Sequence, residues 1–188
     1  MQRDAGVLLV RTPGSAQRIP AWVSDDETLP RVRSAGPWLA TPGRFFPGYG
    51  RDITEAELVQ SAVEEATASG GWCKIIGDWL PDDPPVPLEL LTAAVNAVHA
   101  VGGRVAVHCQ TPGGSRNALL AGADSLEHGM HLDPDLIDQM VRQGTAFVPP
   151  GFWPTRAGSS SRDGSWSDRR AAHSGALSLN VCVRCQWK

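Results

Sequence analysis

The sequence predicts an α/β protein built on a parallel sheet, and three observations carry that prediction. From residue 5 to 150, short apolar runs of strand character alternate with helical stretches, at a spacing of roughly 20 to 35 residues that suits successive βαβ units. Two stretches carry full helix punctuation: Thr54–Ser69 opens on a Thr N-cap with Glu57 at the third helical position, and Pro87–Val101 is closed by Gly102 and Gly103. Residues 12–37 and 41–53 are rich in Pro and Gly and read as long loops on the strand-to-helix side. In a barrel of parallel strands that side carries the active site.

Taken in order, the expected strands are Gly6–Arg11, Trp38–Thr41, Trp72–Gly77, Arg104–Cys109, Asp124–His128 and Thr145–Pro149. Between them a short helix is expected at Ser115–Ala121. Asp133-Pro134 caps and opens another helix that runs to Gln143 and stops at Gly144. After Pro150 the pattern ends in a Ser-, Arg-, Gly- and Trp-rich stretch without a period of 2 or 3.6. The expected organisation is therefore one domain at 1–150 and an irregular, poorly ordered or out-of-frame tail at 151–188. A continuation of the pattern in a neighbouring reading frame would support the out-of-frame origin, and its absence would sink it.

Composition narrows the class. Hydrophobic residues make up 41% and charged residues 20% of the chain, as in ordinary globular proteins, and no apolar run approaches the roughly 18 residues of a membrane span. The apolar run Gly6–Val10 is too short for a secretory leader, which leaves the cytoplasm as the expected location. The net charge of −3 divides into −7 over residues 1–150 and +4 over 151–188. An acidic body disfavours nucleic acid, so a small-molecule substrate is the expected partner.

Two histidines repeat one arrangement. Arg104-Val-Ala-Val-His108 and Asp124-Ser-Leu-Glu-His128 each place an imidazole at the end of an apolar strand, one βα unit apart. Strict alternation puts His108 on the face of Ala106 and His128 on the face of Leu126; both faces are read as pointing inward. Lys74, the single lysine of residues 1–150, lies one unit earlier in Gly-Trp-Cys-Lys-Ile-Ile-Gly. Its amine either reaches water or a carboxylate such as Asp78, or is buried and held neutral. A neutral amine reacts with carbon dioxide, and the carbamate is an anionic oxygen ligand beside imidazoles that zinc accepts.

Other signals are weaker. Thr111-Pro-Gly-Gly-Ser115 either turns the chain below His108 or cradles an anion at a helix N-terminus. Cys73 and Cys109 fall opposite Lys74 and His108 and read as packing residues. His99 reads as a helix residue facing its neighbour, and His131 as a loop residue. Cys182-Val-Arg-Cys185 has no second pair to complete a zinc knuckle.

The ordered set Gly6-Val-Leu-Leu-Val-Arg11, Lys74, Val105-Ala-Val-His108, Ala121-Gly-Ala-Asp-Ser-Leu-Glu-His-Gly129, Leu132-Asp133 and Gly144-Thr-Ala-Phe-Val-Pro149 resembles the amidohydrolase superfamily. Within it, the similarity is to the imidazolonepropionase-like and Xaa-Pro dipeptidase-like branch. The resemblance implies an incomplete (β/α)8 TIM barrel of the metal-dependent hydrolase type, covering about strands two to seven. It implies a divalent metal, zinc by preference, held by Lys74 as a carboxylated lysine and by His108 and His128. Tyr49, in the loop Thr41-Pro-Gly-Arg-Phe-Phe-Pro-Gly-Tyr-Gly50, falls where that family places substrate-side residues. The family's first-strand His-x-His and eighth-strand aspartate have no counterpart here, the earliest histidine being His99. The catalytic proton carrier is therefore unassigned, and exposed sheet edges are expected to invite self-association. The resulting expectation is hydrolysis of a non-peptide C–N bond or a small dipeptide-like amide. The alternative is an inactive fragment that binds metal weakly.

Overall fold

A computed structural model describes residues 2–149; the expected tail, with its Cys182 and Cys185, lies outside the described residues. Six strands form one parallel sheet in the order β4-β3-β5-β6-β7-β8. They are β3 (Trp38–Ala40), β4 (Arg51–Asp52), β5 (Trp72–Ile76), β6 (Arg104–Cys109), β7 (Ser125–His128) and β8 (Ala146–Val148). A separate parallel pair joins β1 (Leu9–Thr12) to β2 (Arg31–Ser34), and a single bridge, Ser15 to Pro37, links the segments that follow β1 and precede β3.

Two of these strands were not expected. β2, Arg31-Val-Arg-Ser34, lies in the Pro/Gly-rich stretch read as loop, and its outward arginines hide the apolar alternation; its burial alternates between exposed and half-buried. β4 is only two residues long. β1 starts at Leu9 rather than Gly6, because residues 2–7 are folded into turns closed by Gly6 N–H on Arg3 C=O and Val7 N–H on Gln2 C=O.

The helices follow their punctuation. After a short turn of helix, α1 (Trp22–Asp25), the Thr54–Glu57 capping box closes a 3₁₀ turn that runs into α2 (Leu58–Ala68). α3 spans Leu88–Ala100 and ends on Gly102 at φ 75°. α5 (Ile137–Gln143) ends on Gly144 at φ 71°, a left-handed cap that favours glycine. α4 begins earlier than expected, at Pro112, and runs to Leu120. Thr111 caps it by accepting from Gly114 N–H, so Pro112-Gly-Gly is its first turn and not a loop before it.

Register shows which residues share a face. Lys74 pairs with Ala106, Ala106 with Ser125, and His108 with Glu127, so these side chains lie on one side of the sheet. The residues between them, Cys73, Ile75, Val105, Val107, Cys109 and Leu126, are buried against α2, α3 and α4. Leu58, Ala62, Leu91, Val95, Val98 and Leu119 supply the helical half of that core. Burial of each large aliphatic side chain stabilises by about 2 kcal/mol. The helices thus cover one face, while the other is reached by the side chain of Arg11, from β1, which extends to β7. Among the described residues, Cys73 and Cys109 are free thiols buried in the helix-side core, and burial pushes the Cys73 thiol up to about 12.

Candidate functional site

The helix-free face of the sheet is polar where a core would be apolar. Lys74, His108, Ser125 and Glu127 are all buried there. Burying charge is costly unless it is paired, and the pairing is explicit. Glu127 Oε1 accepts from Arg11 Nη2 at 2.7 Å and from the Ser125 hydroxyl at 2.7 Å. Its other oxygen, Oε2, stands 3.9 Å from Lys74 Nζ. Arg11 also donates to Ser125 Oγ at 3.2 Å and lies over the Trp72 ring, 4.9 Å from its centroid. Burial pushes the Lys74 amine down to about 8, against the opposing pull of Glu127. Burial also pushes the Glu127 carboxyl up, but Lys74 and Arg11 outweigh it and leave the group below the usual carboxylate range.

Lys74 therefore pairs with Glu127, and the expected alternative partner, Asp78, is engaged elsewhere. Asp78 accepts from Gln110 N–H at 2.6 Å, Thr111 N–H at 2.8 Å and the Thr111 hydroxyl at 2.7 Å. The positive end of α4 is thereby occupied by the protein's own carboxylate. The reading of Gly113-Gly114 as an anion cradle is set aside for that reason: a Cβ at Gly114 would run into the Asp78 side chain.

His108 and His128 come together, with ring centroids 4.8 Å apart and planes 79° apart. His108 reaches the site by alternation. His128 does not: Leu126, whose face it was expected to share, is packed into the helix-side core opposite Val107. Instead His128 has φ 69°, and this left-handed turn at the strand end redirects its side chain beside His108. Burial, then the Lys74 charge, holds the His108 imidazole well below its ordinary value. The same two causes lower His128, with Glu127 and Asp78 opposing. Both shifts favour the neutral imidazole, and Gln110 Nε2 lies 2.9 Å from His108 Nε2.

The donor chemistry fits part of a metal site. Two neutral imidazoles side by side are nitrogen donors of the type zinc accepts, yet among the described residues no three His, Cys, Asp or Glu side chains gather closely enough to hold an ion. Glu127 is committed to Arg11 and Ser125. The remaining residue that the family resemblance implies as a donor, Lys74, presents here an amine 3.9 Å from Glu127 Oε2.

Tyr49 stands further out. It is 52% exposed, stacks on Trp38 at 6.0 Å and belongs to a group of rings that meets His108 through Phe45 and Trp79. His99, on α3, pairs with Asp124 at 2.8 Å, away from the site. An open groove of about 810 Å³ along α2, lined by Arg18, Arg51, Val59 and Val63, contains none of these histidines. Sequence reading missed Glu127, Arg11 and Ser125. The signal for Glu127 was present, since an acidic residue inside an apolar strand has to find a cation.

Comparison with known proteins agrees with this architecture. No protein-family model matches the chain. It is 36% identical over 154 residues to the uncharacterized protein Rv2915c of Mycobacterium tuberculosis (strain ATCC 25618 / H37Rv), covering 79% of this chain and 41% of that protein. The Mycobacterium bovis protein Mb2939c matches to the same extent. The chain thus spans about two fifths of the length of the curated relatives it matches. Among solved structures, a prolidase candidate from Bifidobacterium longum is 28% identical with a TM-score of 0.62, over 76% of this chain and 38% of that one. A Xaa-Pro dipeptidase with methionine bound in its active site is 25% identical with a TM-score of 0.60, over 76% and 42%. The Aspergillus niger ochratoxinase shares the fold alone, at 19% identity and a TM-score of 0.59 over 74% and 40%. The fold is amidohydrolase-like. No helix among the described residues is long and apolar enough to cross a membrane.

Proposed function

We propose that this chain is part of a metal-dependent amidohydrolase, an incomplete (β/α)8 barrel whose site hydrolyses a non-peptide C–N bond or a small dipeptide-like amide. The observation that carries the proposal is the pair of imidazoles, His108 and His128, brought together with a buried lysine on one face of a parallel sheet toward its C-terminal edge. The likeness to a dipeptidase and a prolidase candidate supports it. His108 and His128 would hold a divalent ion, with zinc the first candidate, and Lys74 would complete the set. Bound there, the ion would lower the pKa of a water toward about 7 and polarise the scissile carbonyl.

The chain's own residues do the preparatory chemistry. The neutral fraction of the Lys74 amine adds to carbon dioxide, forming an N–C bond and releasing one proton, and the product is a carbamate anion. Glu127, fixed by Arg11 and Ser125, acts in the opposite sense: its charge favours the protonated amine against burial and so limits the fraction that reacts. A second reading, a non-catalytic fragment that binds metal weakly, is favoured by the lack of three gathered His, Cys, Asp or Glu donors among the described residues.

Elemental analysis of purified protein, wild type against a His108→Ala, His128→Ala double variant, decides the first point. Near-stoichiometric divalent metal in the wild type, lost in the variant, is the expected result; no metal in either protein would sink the proposal. Labelled bicarbonate should give a carbamate carbon signal in the wild type that is missing from Lys74→Ala.

A further inference from the structure

The C-terminal edge of the sheet is lined by aromatic rings from three segments. Trp38 comes from β3, Phe45, Phe46 and Tyr49 from the loop after it, and Trp79 from the turn after β5. Phe45 meets Trp38 at 5.0 Å and Trp79 at 4.9 Å, and Phe46 meets Trp79 at 4.6 Å and Tyr49 at 6.2 Å. Two of the rings touch the imidazole of His108, Phe45 at 5.7 Å and Trp79 at 6.0 Å. The surface is continuous from the candidate ligand outward, yet Phe46 and Tyr49 remain 43% and 52% exposed. Aromatic area left in water is a source of binding energy for whatever covers it.

Charge identifies the cover. The loop's one cation, Arg44, is held by Asp83 at 3.2 Å and by the Pro84 carbonyl at 3.3 Å. Arg51, just beyond the loop, is engaged by Glu64 and Glu65. Lys74 lies deeper and faces Glu127. A carboxylate arriving at these rings would lose water and meet π faces in return. Resting on the hydrolase reading above, we infer that the site takes a neutral amide whose aromatic or bulky apolar group seats against Phe46, Tyr49 and Trp79, in preference to a free dipeptide bearing a C-terminal carboxylate.

The test uses the full chain, acetanilide as the neutral probe and glycyl-proline as the charged one, in wild type and in a Phe46→Ala, Tyr49→Ala variant. Both substituted positions are exposed, and circular dichroism checks that the fold is kept. Binding is read by ligand-observed NMR and hydrolysis by product release. The expected result is a preference for acetanilide of about tenfold or more, lost in the variant through KM rather than kcat. Preference for glycyl-proline, or a preference unchanged in the variant, overturns the inference. Acetanilide that binds the wild type and not the variant, with neither probe hydrolysed, upholds the inference and counts against the hydrolase reading. Hydrolysis of glycyl-proline with acetanilide ignored does the reverse.

Discussion

Glu127 is the residue on which the site's charge balance turns, since Arg11, Ser125 and Lys74 all address its carboxylate. Replacement by Gln leaves the buried Lys74 and the half-buried Arg11 short of a partner, and a loss of about 3 kcal/mol is expected in urea unfolding at pH 7. The loss should shrink above pH 8, where the Lys74 amine, held near 8 by burial, gives up its proton. Lys74 itself contributes a slope of known sign. Its folded value lies below the unfolded one, so the unfolded chain binds more protons between about pH 8 and 10.5, and stability rises with pH in that window. Lys74→Met should remove the rise. The two imidazoles act lower on the scale: both are depressed by burial from an ordinary value of 6.5, so stability is lost as pH falls below about 6.5. A His108→Gln variant should show a shallower acid slope in thermal melts. Lys74 and His108 were legible from sequence because each interrupts an apolar strand. The route of His128 into the site was not, because alternation cannot anticipate a left-handed backbone at a strand end.

Elements depend on their ends. α4 owes its start to Thr111 and to the Asp78 carboxylate, which takes three hydrogen bonds from residues 110 and 111. Asp78→Ala should cost about 2 kcal/mol, readable as a lower urea midpoint with an unchanged slope, and should disturb the backbone beside His108. At the far end of the fold, Gly144→Ala places a side chain at φ 71° and should cost about 1 kcal/mol. The long elements were legible from periodicity and caps: α2, α3, β5, β6 and β7 lie where expected. β2 and β4 were not, since a four-residue strand of alternating arginines and a two-residue strand have no period to detect. The Asp78 contact escaped for a related reason, being a pairing between residues 32 and 33 positions apart that no local pattern encodes.

At the scale of the whole molecule, the described sheet ends on β4 at one side and β8 at the other. β8 carries Phe147, 41% exposed, beside backbone groups that pair on one side with β7. We expect concentration-dependent self-association through this edge, seen by light scattering and reduced by Phe147→Lys. A molecular mass constant across concentration would count against it. The acidic charge of residues 1–150 should leave that part of the chain indifferent to nucleic acid at physiological salt, as a gel-shift titration would show.

The contact from Arg11 to Glu127 spans 116 positions of the chain. Closing so distant a pair is entropically slow, and the nearer partners of the site, β5 and β6, can dock long before it. During synthesis β5 emerges and can begin to pack while the counter-charge of Lys74 is still to be made. Until residue 127 arrives, the lysine must stay hydrated or lose its proton. On the proposed carboxylation of Lys74, carbon dioxide present while the chain matures would meet a more reactive amine than the finished ion pair presents.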